Sequence, residues 1–201
     1  AVMSGLLKMR RLGIISDLPR LFGVQSEHAD PVWRYYSKPK AERVYNPVAV
    51  RPSVAQAAMI GNPVSFPRVK ALVDAYEAAG GEFGVVQVTE QAILANRHGH
   101  IVCTQGGECL AGLLKAREEG RVAAGEKAVL DSTAHALKFA GFQNMYFTDT
   151  FPPEYGVAPD ASLANRPSLV VDAAEKARLS AEEFTRAAAK AVAERLELAG
   201  K

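Results

Sequence analysis

A rhythm between residues 84 and 138 most restricts what this chain can fold into. Short, β-branched apolar runs end in hydroxyl or small residues, and helix-like stretches follow them. Gly84-Val85-Val86-Gln87-Val88 reads as a strand, and Thr89 caps a helix carrying Ile93 and Leu94. His100-Ile101-Val102-Cys103 reads as a second strand, and Gln105-Gly106-Gly107-Glu108 opens a helix with Leu110, Leu113 and Leu114 on one side. Gly120 closes that helix, and Lys127-Ala128-Val129-Leu130-Asp131 reads as a third strand, ending in Ser132-Thr133. Strands alternating with helices predict an α/β fold, a parallel sheet with helices on both faces. Right-handed crossovers put the strand ends on one edge, so Thr89, Thr104 and Thr133 are expected near one another. Ligands in such sheets bind outside the carboxyl ends of the strands. Ser132 and Thr133 would then face a site; the alternative is that Thr133 caps a helix or turn.

Elsewhere the signals are more ordinary. Residues 3–12 read as a helix closed by Gly13, and Arg20–Gln25 as a strand. A short helix is expected over Val32–Tyr36 and a capped one over Ser53–Ile60, stopped by Gly61-Asn62-Pro63. Ser65 caps a helix with Pro67 in its first turn and Val69, Leu72, Val73 and Tyr76 as its apolar stripe. Residues 139–167 are aromatic, proline-bearing and without period, and read as irregular chain packed along the domain or a partner. Ser180 and Glu183 form a capping box, with Leu179 and Phe184 placed for a hydrophobic staple. The division expected is an α/β part over 1–138 and an extension with a terminal helix over 139–201. Because residues 3–12 read as the inside of an element, the chain is expected to be a fragment of something longer.

Composition excludes several classes. The 201 residues carry a formal net charge of +2, and the basic residues are scattered, so there is no electrostatic case for nucleic acid. No apolar run approaches the ~20 residues of a membrane span, and residues 1–8 do not read as a signal peptide. Cys103 and Cys109 lie at no zinc-binding spacing, and two buried thiols in a reducing, cytoplasmic setting are expected. His28, His98 and His100 have no companions that point to a metal. Gly106-Gly107 at a helix start is compatible with an anion site, or simply lets the helix approach a strand. His135 reads as an acid–base group or as a core histidine bonded to backbone. Asp131 either caps a neighbouring helix or faces a site.

Four stretches together resemble threonine synthase and its relatives, the pyridoxal-phosphate enzymes of fold type II (tryptophan synthase β-like). They are Leu18–Gln25, Ile60-Gly61-Asn62-Pro63-Val64-Ser65, Gln105–Lys115, and Thr133-Ala134-His135-Ala136-Leu137-Lys138, which is similar to the family's T-G-H-G-L-K. The resemblance covers roughly residues 1–138. It implies part of the large domain of such an enzyme. Pyridoxal 5'-phosphate would be the cofactor, and the parent reaction the conversion of O-phosphohomoserine to threonine and phosphate. It also implies a homodimer and a phosphorylated amino-acid substrate. Thr133 matches the threonine that bonds the cofactor's pyridine nitrogen; Ser132, Gly106, Gly107, Cys103 and His135 are weaker cofactor-site candidates. The family's cofactor lysine and phosphate loop match nothing here, so an N-terminal half is expected to be missing. No catalytic residue is assigned, and the chain alone is expected to be inactive and without bound cofactor. Ala134 and Ala136 stand in place of glycines, Cys103-Thr104 in place of an acidic residue and proline, and the sequence after Lys138 departs from the pattern. That tail is closer to a cysteate-synthase-like branch acting on O-phosphoserine with sulfite. A non-catalytic α/β binding or assembly module is a further alternative.

Overall fold

The computed structural model describes residues 1–94, 102–163 and 170–197. The chain forms two compact units, residues 1–164 and residues 165–201.

Two parallel strands centre the first unit. β1 (Leu21–Ser26) and β2 (Phe83–Val88) pair in register from Leu21↔Phe83 to Ser26↔Val88. Side chains alternate across a strand, and the two faces of this pair meet different helices. On one face, Phe22, Val24, Val86 and Val88 join the core with Ala111 and Ala116 of α5 (Thr104–Glu118), Ile93 of α4 (Glu90–Ile93) and Phe142. On the other, Gln25 Oε1 accepts from the backbone N–H groups of Val32 and Trp33 at 2.9 Å, which seats α2 (Pro31–Tyr36). Tyr36 of that helix meets Phe83 edge-on at 5.1 Å, and Tyr35 meets Phe66 of α3 (Phe66–Ala78) at 5.0 Å. The expected layering, a parallel sheet with helices on both faces, is therefore present.

Close approach explains one glycine. A Cβ on Gly112 of α5 would lie 2.3 Å from Val24 Cγ2, so α5 rests on β1 only because that carbon is missing. α1 (Val2–Arg11) leans on α3, and the Arg10 guanidinium donates to Ala79 O. Tyr76, fully buried, donates to Pro19 O at 2.6 Å and ties α3 to the chain entering β1.

Several expectations are corrected. Residues 127–131 form no strand: Val129 is 98% exposed, and no described strand runs beside them to complete a ladder. An apolar run without a hydrogen-bonding neighbour makes no ladder. Within the stretch expected as a strand at 100–103, Val102 makes one isolated antiparallel bridge to His135; residues 100 and 101, like His98, lie outside the described residues. Among the described residues, the βαβαβ order expected over 84–138 keeps its first strand and the helix α5 but not its last strand, so Ser132 and Thr133 do not sit at a strand end. Residues 53–60 hold a single 3₁₀ turn at Gln56–Ala58 in place of a helix. The segment after 139, expected to be irregular, contains α6 (Ala140–Thr148), whose Phe142 and Tyr146 are buried one turn apart.

The second unit contains α7 (Ala173–Lys176) and α8 (Ala181–Arg195). The capping box opens α8 as expected, with Glu183 N donating to Ser180 Oγ and Ser180 N to Glu183 Oε2 at 2.9 Å.

Candidate functional site

The candidate residues gather at the first turn of α5, without the strand that was to carry two of them. Cys103 is the N-cap: its Sγ accepts the Gly106 N–H at 3.2 Å, and its carbonyl accepts the Gly107 N–H at 3.0 Å. Both glycines are buried, and a Cβ on Gly106 would lie 2.5 Å from Val102 Cγ2. Gly106 thus lets the helix start fold tightly onto the chain entering it.

The 132–138 segment is clamped to this turn through its backbone. Cys103 N donates to Ala134 O at 2.8 Å, alongside the Val102–His135 bridge. That brings Thr133 Oγ1 to 3.8 Å from Cys103 Sγ. Thr133 and Ser132 are exposed. His135 is exposed too, contrary to a core placement, and its Nδ1 accepts the Leu137 N–H at 3.1 Å to cap the 3₁₀ turn Ala136–Phe139. Asp131 contributes its carbonyl, which accepts from the Cys109 thiol at 3.5 Å. Cys103 is buried as expected, whereas Cys109 is partly exposed; burial still pushes its thiol up.

One hydroxyl here escaped the sequence reading as a possible ligand. Thr104 is 5% exposed, and its Oγ1 has no hydrogen-bond partner among the described residues. Buried hydroxyls are nearly always paired. Thr104 is the first residue of α5, directly after Cys103.

A second polar cluster, also unread in the sequence, occupies the carboxyl ends of both strands. Ser26 closes β1; its Oγ donates to Glu90 Oε1 and its backbone N–H donates to Glu108 Oε1 at 3.0 Å. Glu90 Oε2 accepts from Val54 N at 2.6 Å. His28 Nδ1 donates to Pro52 O at 2.5 Å and stands 3.8 Å from Glu90 Oε1. Glu108 belongs to the second turn of α5, so this cluster lies directly behind the Cys103–Thr104 turn. Among the described residues, no group of three or more His, Cys, Asp or Glu side chains forms a metal-binding set. No described helix is long and apolar enough to cross a membrane.

Comparison with known proteins places these features in context. No protein-family model matches the chain. Over 139 residues, 69% of this chain and 27% of the relative, it is 30% identical to the chloroplastic threonine synthase 2 of Arabidopsis thaliana. Over 142 residues it is 32% identical to threonine synthase of Methanocaldococcus jannaschii, covering 69% of this chain and 34% of that protein. The chain thus spans about a third of the length of the curated relatives it matches. Among solved structures, threonine synthase from Escherichia coli superposes with a TM-score of 0.53 at 18% identity, over 92% of this chain and 36% of that one, a likeness of fold.

Proposed function

We propose that this chain, homologous to threonine synthases over 69% of its length, is the C-terminal part of a pyridoxal-phosphate-dependent lyase that converts O-phosphohomoserine to threonine and phosphate. The observation that carries the reading is the meeting of Thr133 with Cys103 at the head of α5, 3.8 Å apart, on the stretch that resembles T-G-H-G-L-K.

The residues present fit one end of the cofactor. An exposed hydroxyl on Thr133 is a group a pyridine nitrogen can use. When bound, the cofactor supplies an electron sink for bond breaking at the substrate's α-carbon. Thr133 orients the ring. As a hydroxyl rather than a carboxylate, it does not hold the ring nitrogen protonated, which moderates that sink. Cys103 is a positioning residue: its thiol caps Gly106, and its N–H holds the carbonyl next to Thr133. On this reading the cofactor lysine and phosphate loop lie outside these 201 residues. The working enzyme is a cytoplasmic homodimer, and the chain alone turns over nothing.

The test is to express the chain with its upstream coding sequence. Phosphate release from O-phosphohomoserine with formation of threonine supports the assignment. Sulfite-dependent release from O-phosphoserine moves it to the cysteate-synthase-like branch, and inactivity on both leaves a non-catalytic module. In the 201-residue chain alone, pyridoxal phosphate followed by borohydride should label no single lysine stoichiometrically; such labelling would refute the division of the site.

A further inference from the structure

The junction at the end of β1 keeps two carboxyl groups out of water. Glu90 is 1% exposed and Glu108 is 7% exposed. Both bind the same serine: Glu90 takes the Ser26 hydroxyl and Glu108 takes the Ser26 backbone N–H. Two buried carboxylates on one residue repel each other and each forfeits hydration, so one of them keeps its proton.

The surroundings decide which. Glu90 accepts two hydrogen bonds, from the Ser26 hydroxyl and the Val54 N–H, and has His28 Nδ1, which donates to Pro52 O, 3.8 Å away. Glu108 receives the Ser26 N–H at 3.0 Å and otherwise faces Glu90 on α4 and Cys109 on its own helix. Asp30 is engaged elsewhere, with Arg34 at 2.8 Å and Gln87 at 2.6 Å. Burial pushes Glu108 up to about 8, against the pull of the Ser26 N–H and with a further push from Glu90.

We propose that Glu90 and Glu108 form a one-proton carboxyl pair that latches β1, α4, α5 and the 53–55 segment together, closed while Glu108 is protonated and loosened when both ionise. The latch is independent of the proposed enzymatic reading. Its geometric consequence is local: Glu108 is one turn along α5 from Cys103 and Thr104, so ionisation loosens the support behind that turn.

The sign follows from proton counting. The folded chain keeps a proton on Glu108 up to about 8, whereas the unfolded chain releases it near the ordinary value of 4.5. Between those limits the folded state binds more protons. This group's contribution is therefore full below about 4.5 and is lost as pH rises towards 8, by up to about tenfold in the folding constant per pH unit.

The test uses the full chain. Infrared difference spectra across pH 5 to 9 should show a buried carboxylic-acid carbonyl that disappears near pH 8 and is absent in Glu108→Gln. Glu90→Gln removes the neighbouring anion and should shift that disappearance to lower pH. Urea unfolding should show wild type losing stability between pH 5 and 8, with this component gone in Glu108→Gln. Amide exchange at Ser26 and Val54, corrected for intrinsic rates, should rise above pH 8 in wild type. A wild-type spectrum with no buried acid at pH 6 overturns the proposal even if a variant fails to fold, and so does an acid band that survives Glu108→Gln.

Discussion

Gly112→Ala puts the contact between α5 and β1 to a quantitative test. The added methyl would sit 2.3 Å from Val24 Cγ2 and 2.9 Å from its Cγ1, where ordinary contact begins at 3.4 Å. Val24 cannot swing aside cheaply, because a β-branched side chain on a strand is stiff at χ1. The helix must retreat instead, carrying Ala111 and Ala116 away from the core. Overpacking of this kind costs about 1–3 kcal/mol, and alanine returns about 1 kcal/mol in helix propensity. With two hard contacts the net should be a loss of about 1–2 kcal/mol, which lowers the melting temperature by about 2–8 °C for a chain of this size. Gly141→Ala is the matched control: it lies in α6 with nothing within 4 Å of the new carbon, so propensity alone acts and the chain should gain about 0.5–1 kcal/mol. Urea unfolding followed by circular dichroism measures both. The Gly112→Ala/Val24→Ala double variant should show coupling of about 0.5–3 kcal/mol, because the clashing methyls are gone. A Gly112→Ala chain as stable as wild type would refute the close packing of α5 on β1.

Three further outcomes are expected. On the proposed reading, Thr133→Val in the chain expressed with its upstream sequence should lose about 1–3 kcal/mol through an unpaired ring nitrogen, read as a roughly 5- to 150-fold fall in rate or an equivalent fall in cofactor affinity; Thr133→Ser should be milder, and wild-type behaviour of the valine variant in kinetics and cofactor titration would leave Thr133 a turn residue. The Tyr36 hydroxyl is buried without a hydrogen-bond partner among the described residues and, chiefly through burial, is pushed up to about 12, so Tyr36→Phe should be neutral or stabilising and should remove a phenol that ionises near pH 12 from an ultraviolet titration. Tyr76→Phe, which breaks the 2.6 Å bond to Pro19 O, should cost about 1 kcal/mol in the same unfolding assay, and equal effects of the two would contradict the bonding described.

Local chemistry alone determined much of the chain. The strands at 21–26 and 83–88, the Thr89 and Ser180 caps and the helix after Gln105 are legible because each rests on a period or a cap within a few residues. The resemblance was legible as well, because its four stretches keep their order whatever their surroundings. What needed neighbours was not legible. The apolar run at 127–131 has strand composition, but a ladder requires a partner at hydrogen-bonding distance, and no described strand supplies one. α6 was hidden because Phe142 and Tyr146 form too short a stripe to read as a helix until the core at Val86 and Ile93 receives it. The Cys103–Thr133 contact spans 30 positions and is made by the Cys103 N–H reaching Ala134 O, a bond between backbones that no side-chain motif encodes. Glu90 and Glu108 look in the sequence like solvated helix acids; only the convergence of β1, α4 and α5 on Ser26 removes their water and makes their charge costly.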